Sequence, residues 1–258
     1  MLNKILIKTR RVIKKNSFEN IKLCFQALIM HPAIFLKYKN IYKDKEIVIV
    51  GCGPTTKYFE PLNDKIYIGI NRAYKLKNIK LNFLFAQDWL DEDDMIEANN
   101  YNKNYCKKFY GILSDSVSKK VFPRIKKIPK YHRIDANSYN YILNNYTAKN
   151  FEIDIAKKPI SDLHGTVFSA MQFALYTNPK TIYLVGCDCT TGHFHKEQKN
   201  NPNADLSSHS HIWKQLKQHS EKYNPNTKII SINPVGLKGL FEDIYTQSYI
   251  KNNPEKTI

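Results

Sequence analysis

From Glu46 onward, short apolar runs recur along the chain, separated by stretches of helical or polar character. Six of them predict strands: Glu46–Val50, Lys65–Ile70, Leu81–Ala86, Lys108–Leu113, Thr181–Val185 and Lys228–Ile232. Several are nearly continuous in apolar residues instead of alternating, as expected for strands covered by helices on both faces. After Asp162, residues Val167, Phe168, Met171, Ala174 and Leu175 recur at helical spacing, Asn178-Pro179 breaks the pattern, and a strand follows. The same sequence of events runs from Ile212, Trp213 and Leu216 through Asn224-Pro225 to Ile229–Ile232, with no internal repeat in the residues themselves. Such alternation predicts an α/β fold with a doubly wound, mostly parallel central sheet.

Before Glu46 the pattern differs. Leu2, Ile5, Leu6, Val12 and Ile13 fall near one helical face, with Lys4, Lys8, Arg11 and Lys15 mostly elsewhere. Residues 1–43 therefore read as a basic amphipathic helical extension, and 44–258 as the domain proper. The richest apolar stretch, Leu23 to Leu36, is broken by Gln26 and His31-Pro32 and falls short of the roughly 20 residues of a membrane span. Arg10, Arg11, Lys14 and Lys15 interrupt what a signal peptide would keep apolar.

Charge changes this picture more than composition does. The formal net charge is +17, and residues 1–45 hold eleven Lys and Arg against Glu19 and Asp44. An excess of that size concentrates polyanions near the surface, which leaves nucleic acid, anionic lipid and acidic glycan as partner classes. The extension reads either as an anchor on an anionic membrane surface or as a helix packed on the domain with a solvated basic face. Five cysteines without framework spacing (Cys24, Cys52, Cys106, Cys187, Cys189) fit a reducing cytoplasm.

In doubly wound sheets ligands sit beyond the carboxyl ends of the strands, so the residues after each strand carry the candidate chemistry. Val50 leads into Gly51-Cys52-Gly53-Pro54-Thr55-Thr56. Two glycines allow a tight turn and close backbone approach, and Pro54 suits a first helical turn whose amides favour phosphate. The dinucleotide fingerprint would need a third glycine where Thr56 stands, so the turn reads as a nucleotide cradle of another kind or simply as a tight strand-to-helix turn. The next strands end in Asn71-Arg72 and in Gln87-Asp88: two amides able to read a base or ribose, and a guanidinium able to meet phosphate or carboxylate. Their alternative roles are turn and helix caps. Asp91 and Asp93 could be drawn as a metal site, yet acids are ordinary in a first helical turn.

The strand ending at Val185 runs into Gly186-Cys187-Asp188-Cys189-Thr190, followed by His193 and His195. Cys-x-Cys is too short for the usual zinc knuckle, which favours a small-residue turn. From about 189 to 208 the chain is polar and aperiodic, the character of a lid. It ends at Ser208-His209-Ser210-His211, directly before the amphipathic helix. With Ser208 as N-cap, His211 falls in the first turn, where a neutral imidazole is favoured and can serve as a general base; a surface histidine beside a cap is the plainer reading.

Taken in order, Ile47 to Thr55, Gly69 to Arg72, His164-Gly165-Thr166-Val167 with its helix, Ile182 to Asp188 and the paired histidines resemble the bacterial sialyltransferases of glycosyltransferase family 42 and related Rossmann-like CMP-sugar transferases, over about residues 46–235. The resemblance implies a GT-A-like, Rossmann-type fold and an inverting transfer from a CMP-sugar to a surface-glycan acceptor, with no metal or other cofactor. It implies that Gly51, Gly53, Pro54, Thr55 and Asn71 cradle the CMP, with Gln87 or Asp88 adding a polar contact; Cys52 and Arg72, beside them in the same two turns, are counted with the nucleotide-binding candidates. His164, Gly165 and Thr166 would contact the donor, and Gly186, Asp188, Cys189 and Thr190 would flank cytosine and phosphate. His211, or else His209, would deprotonate the acceptor. The family has Asn where this chain has Cys52, and tyrosines for the departing phosphate where this chain offers Thr190, His193 or His195; donor identity, sialic acid or another nonulosonate such as Kdo, stays open.

The partners expected are thus a CMP-sugar donor, a glycan acceptor and peripheral contact with an anionic membrane at the inner face of the cytoplasmic membrane, with no nucleic acid and with oligomeric state open. Two other function classes compete. A pterin pyrophosphokinase-like phosphotransferase would share the Gly-x-Gly-Pro turn and require Mg²⁺; a basic lipid- or nucleic-acid-binding module would rest on charge alone.

Overall fold

A computed structural model describes residues 29–87, 92–113, 137–144, 150–163, 165–190, 192, 194 and 206–256. Nine strands among them form one sheet: β1 (Glu46–Val50), β2 (Ile66–Ile70), β3 (Phe83–Ala86), β4 (Lys107–Leu113), β5 (Ser138–Asn144), β6 (Ile160–Ser161), β7 (Thr181–Val185), β8 (Lys228–Ile232) and β9 (Glu242–Ile244). Their order is β6-β5-β4-β3-β2-β1-β7-β8-β9, and every neighbouring pair is parallel. The fold is α/β and Rossmann-like, as the alternation of apolar runs predicts.

The near-continuous apolar strands are explained by burial on both faces. Ile47 and Ile49 join Ile68, Ile70, Phe83, Phe85, Ile182 and Leu184 in the core beneath one face. Val48 and Val50 pack with Leu84, Ala86 and Val185 on the other. The first face is covered by residues 29–36 (α1), by α3 (Thr166–Tyr176) and by α4 (Ser210–Tyr223), all of which contribute to the larger core. The second carries α2 (Glu92–Asn100) and two short 3₁₀ turns, Pro54–Tyr58 and Asn71–Lys75. The chain leaves β1 in one direction across the sheet and returns at β7 to proceed in the other. With crossovers of one hand, the two directions require helices on opposite faces. The reversal lies between β1 and β7.

The expected boundary at residue 43 moves toward the N-terminus. His31, Ile34, Phe35 and Tyr38, spaced i, i+3, i+4 and i+7, are buried, and Phe35 and Tyr38 sit 5.6 Å from Phe109 and 5.7 Å from Phe83 between ring centroids. Residues from 29 on thus belong to the domain; the amphipathic helix expected over 1–16 lies outside the described residues.

Three strands escape the sequence pattern. β5 mixes Ser, Asn and Tyr, while β6 and β9 are two and three residues long, and β6 and β9 are the sheet's edges. Short, polar edge strands carry little periodic signal. α3 differs from its expected one-sided pattern: Thr166, Ser169 and Gln172 are buried along with its apolar residues. Gln172 supports this by accepting the amides of Glu152 and Ser161, both at 3.1 Å, and donating to the Ser161 carbonyl at 2.9 Å.

Candidate active site

At the strand-order reversal, the loops after β1 and β7 are locked together. Gly51 N–H donates to the Val185 carbonyl at 2.7 Å, and Gly53 N–H to the Gly186 carbonyl at 2.8 Å. The backbones approach so closely that a Cβ on Gly51 or Gly53 would strike the Gly186 carbonyl. Gly186 itself lies at φ +61°, and a Cβ there would land on Thr56 Oγ1. The glycines are thus required by contact between loops as well as by turn geometry.

The carboxylate of Asp188, 5% exposed, completes the lock: it accepts the Thr55 amide at 2.8 Å and the Thr55 hydroxyl. Burial pushes its pKa above the usual carboxylate range, with the two Thr55 bonds opposing that shift. This corrects the expectation that the helix start after Pro54 attracts phosphate. The element is a five-residue 3₁₀ turn, Pro54 has no N–H, and the Thr55 amide is already satisfied by a carboxylate from the chain itself.

The ends of β2 and β3 are tied to the start of α3. Asn71, at φ +49°, accepts the Thr166 hydroxyl at 3.3 Å, and Gln87 Nε2 donates to Ser169 Oγ and, at 3.1 Å, to the Tyr141 hydroxyl. Gly165 is the extended residue that opens α3. Cys52 donates its thiol to the Ile70 carbonyl at 3.1 Å, bridging β1 to β2. Arg72 turns elsewhere: its Nε pairs with Asp94 on α2, which also meets Lys75 at 2.8 Å and the Tyr74 hydroxyl at 3.2 Å. The guanidinium expected at a phosphate meets an internal carboxylate.

Beyond Asp188, Cys189 (φ +51°) is buried and its thiol donates to the Leu206 carbonyl at 3.0 Å, closing the base of the segment expected as a lid. Thr190 is half-buried, and Phe194 N–H returns to the Cys52 carbonyl at 2.9 Å. Leu206–His209 forms a 3₁₀ turn, so His209, and not Ser208, is the residue before the first turn of α4. Its ring meets Phe168 of α3 edge-on at 6.4 Å. His211 is exposed, with Nδ1 2.8 Å from the Ser208 carbonyl. A carbonyl only accepts, so Nδ1 carries the proton and a neutral ring keeps its lone pair on Nε2. Asp88, Asp91, His164, His193 and His195 lie outside the described residues.

The carboxyl edge therefore gathers Gly51, Cys52, Gly53, Asn71, Gln87, Thr166, Gly186, Asp188 and the two histidines from elements far apart in sequence. Ser169 and Tyr141 were not anticipated. Thr166, Ser169 and Gln172, three polar residues spaced by three along an otherwise apolar helix, were the available signal for the first.

No family model matches the chain, and no curated protein matches it. Among solved structures, it is similar to the sialyltransferase CstII from Campylobacter jejuni in complex with a substrate analogue, CMP-3FNeuAc, at 14% identity and TM-score 0.46, covering 80% of this chain and 88% of that one. A second structure, of the sialyltransferase CST-II with a trisaccharide acceptor and CMP, matches at 15% identity and TM-score 0.42 over the same shares.

Proposed function

We propose that the carboxyl edge of the sheet binds a CMP-linked acidic sugar, a nonulosonate, and that the chain is a glycosyltransferase moving that sugar to a glycan hydroxyl. One observation carries this reading. The motifs that follow β1, β2, β3 and β7, together with the starts of α3 and α4, converge on the strand-order reversal, where open α/β sheets hold their ligands.

In this mechanism the nucleotide lies over the Gly51–Gly53 backbone, with Asn71 and Gln87 oriented toward it by Thr166 and Ser169. The Asp188–Thr55 pair holds the turn and does not contact phosphate. His211 accepts the acceptor's hydroxyl proton on Nε2 as the oxygen attacks the anomeric carbon. The bond from that carbon to the phosphate oxygen breaks, CMP departs with the bonding pair, and the anomeric configuration inverts. His209, held against Phe168, is the alternative base. No metal takes part, and the reaction belongs to a reducing, cytoplasmic compartment.

A thermal-shift panel of CMP, CDP, UDP, GDP, ATP and NAD, each with and without EDTA, tests the reading. CMP at a hundred times its dissociation constant is expected to stabilise the protein by about 2.7 kcal/mol, raising Tm by about 5–10 °C, equally with EDTA. Preference for UDP or GDP would overturn it, and stabilisation only with Mg²⁺ and ATP would favour a phosphotransferase. In transfer assays His211→Ala is expected to lose roughly 10²–10⁴-fold in kcat, and His209→Ala far less. Comparable activity in both variants would exclude either as an essential base.

A further inference from the structure

The opposite, amino edge of the sheet is built differently. Lys45 precedes β1, Lys180 precedes β7 and Lys228 opens β8; Lys180 N–H bonds the Lys45 carbonyl at 2.9 Å and Lys228 N–H bonds the Lys180 carbonyl at 3.0 Å, so the three stand in a row. Lys107 opens β4, and Lys80 lies 4.1 Å over the ring of Tyr105, just before that strand. Acids neutralise part of this edge: Glu46 pairs with Lys65, Glu242 with Lys228 at 2.6 Å, and Asp154 with Lys39 at 3.0 Å. Among the described residues, Lys37, Lys43, Lys45, Lys80, Lys107 and Lys180 meet no carboxylate.

Two of these lysines share one tyrosine. The ammonium groups of Lys37 and Lys107 lie 5.3 and 5.4 Å from the ring centre of Tyr38, and Lys37 is also 5.3 Å from that of Tyr139. Burial and the neighbouring Lys37 charge both push the Lys107 pKa down. The Tyr38 hydroxyl, on a side chain 3% exposed, has no hydrogen-bond partner among the described residues. α1 and the turn after it also carry exposed apolar side chains: Ile29 at 61%, Met30 at 51%, Leu36 at 64% and Ile41 at 46%. Ile29 and Leu36 are seven residues apart, one stripe on the outward face of α1, opposite the buried His31, Ile34 and Phe35.

We infer that the amino edge of the sheet and the outward face of α1 form a docking surface for an anionic phospholipid bilayer. Lysines that meet no carboxylate supply attraction to the headgroups, the exposed Tyr105 suits the interface, and the apolar stripe reaches the acyl boundary. Nucleic acid would use the cations but leave the apolar stripe in water, so lipid is the better match. The surface lies at the other end of the strands from the candidate active site, so a docked molecule turns that site toward the aqueous phase. The inference does not depend on how the carboxyl edge is read.

Flotation of the full-length protein with vesicles of phosphatidylcholine, alone or mixed with phosphatidylglycerol, is the test. Binding is expected only to the mixed vesicles and to weaken with salt. Lys37→Gln with Lys43→Gln should weaken partition roughly 30-fold, and Leu36→Ser with Ile41→Ser roughly tenfold. All four positions are exposed, and unchanged circular dichroism and Tm verify the fold. Lys57→Gln, at the carboxyl edge, should leave flotation unchanged. The inference fails if both double variants float like the parent, if Lys57→Gln weakens binding as much as the lysine pair, if phosphatidylcholine alone suffices, or if the protein binds duplex DNA and no vesicle.

Discussion

Replacing Gly186 by alanine probes the lock between the two loops most directly. Alanine at φ +61° costs about 1–2 kcal/mol in backbone energy. Its Cβ would also overlap Thr56 Oγ1 and come within 3.1 Å of the Gly51 carbonyl, adding an overpacking cost of about 1–3 kcal/mol. Together these give roughly 3 kcal/mol, or a fall in Tm of about 6–12 °C for a domain of this size. A double-mutant cycle separates the parts. Thr56→Ala alone removes a buried hydroxyl that reaches the Gly51 carbonyl at 3.3 Å and should cost about 1 kcal/mol. In the double variant the overlap is relieved while the backbone cost persists, so the two losses should fall short of additivity by about 1–3 kcal/mol. Urea unfolding of the four proteins, followed by circular dichroism, measures this. Strict additivity, or a Gly186→Ala protein within a degree of the parent, would refute the interlocked geometry.

Two pH-dependent outcomes follow from buried groups. Because folding raises the Asp188 pKa, the folded carboxyl holds its proton as pH climbs past about 4 while the unfolded chain releases it, so this group's contribution to stability declines through that window. Asp188→Asn should therefore narrow its deficit against the parent as pH rises above about 4, whereas Asp188→Ala, which strands the Thr55 amide, stays about 1–3 kcal/mol less stable; an Asn deficit that widens with pH would contradict this. His219, packed 5.6 Å from Phe151 and 4.9 Å from Tyr223, has its pKa pushed down to about 4 by burial and, secondarily, by Lys222. Its folded pKa lies below the ordinary value near 6.5, so the unfolded chain takes up the proton first and stability falls as pH drops from about 6.5 to 4, by about 1 kcal/mol once solvent screening of the partly exposed ring is counted. His219→Gln should flatten that part of the stability curve, and an unaltered slope would show that the ring is not protected.

Much of the fold was legible because burial on both faces writes itself into strand composition: β1, β7 and β8 have the bounds expected of them, each opening on one polar residue and ending with its largely apolar run. β5 was not, although Ser138, Tyr139, Asn140 and Tyr141 alternate polar and aromatic residues, because that alternation is only four residues long and passes into the consecutive apolar pair Ile142-Leu143. At the candidate site, Gly51, Gly53 and Gly186 were visible as turn residues, but not that each is forced by the other loop. The partner of Asp188 is Thr55, 133 positions away, and local sequence carries no record of such a pairing. Arg72 illustrates the same limit from the other side: its exposure to a ligand was inferred from strand order, while the nearer fact was Asp94 on the following helix.

The reversal of strand order also has a consequence for biosynthesis. β1 is the first strand of the sheet to leave the ribosome, yet one of its two hydrogen-bonding edges waits for β7, which pairs with it along Glu46 to Val50. At roughly 5–20 residues per second, that edge, flanked by Ile47, Val48, Ile49 and Val50, stays open for on the order of ten seconds. Through that interval the nascent protein presents a flat, apolar template to any other unfinished strand. Chaperones that cover this edge during synthesis would therefore bear on the yield of the chain.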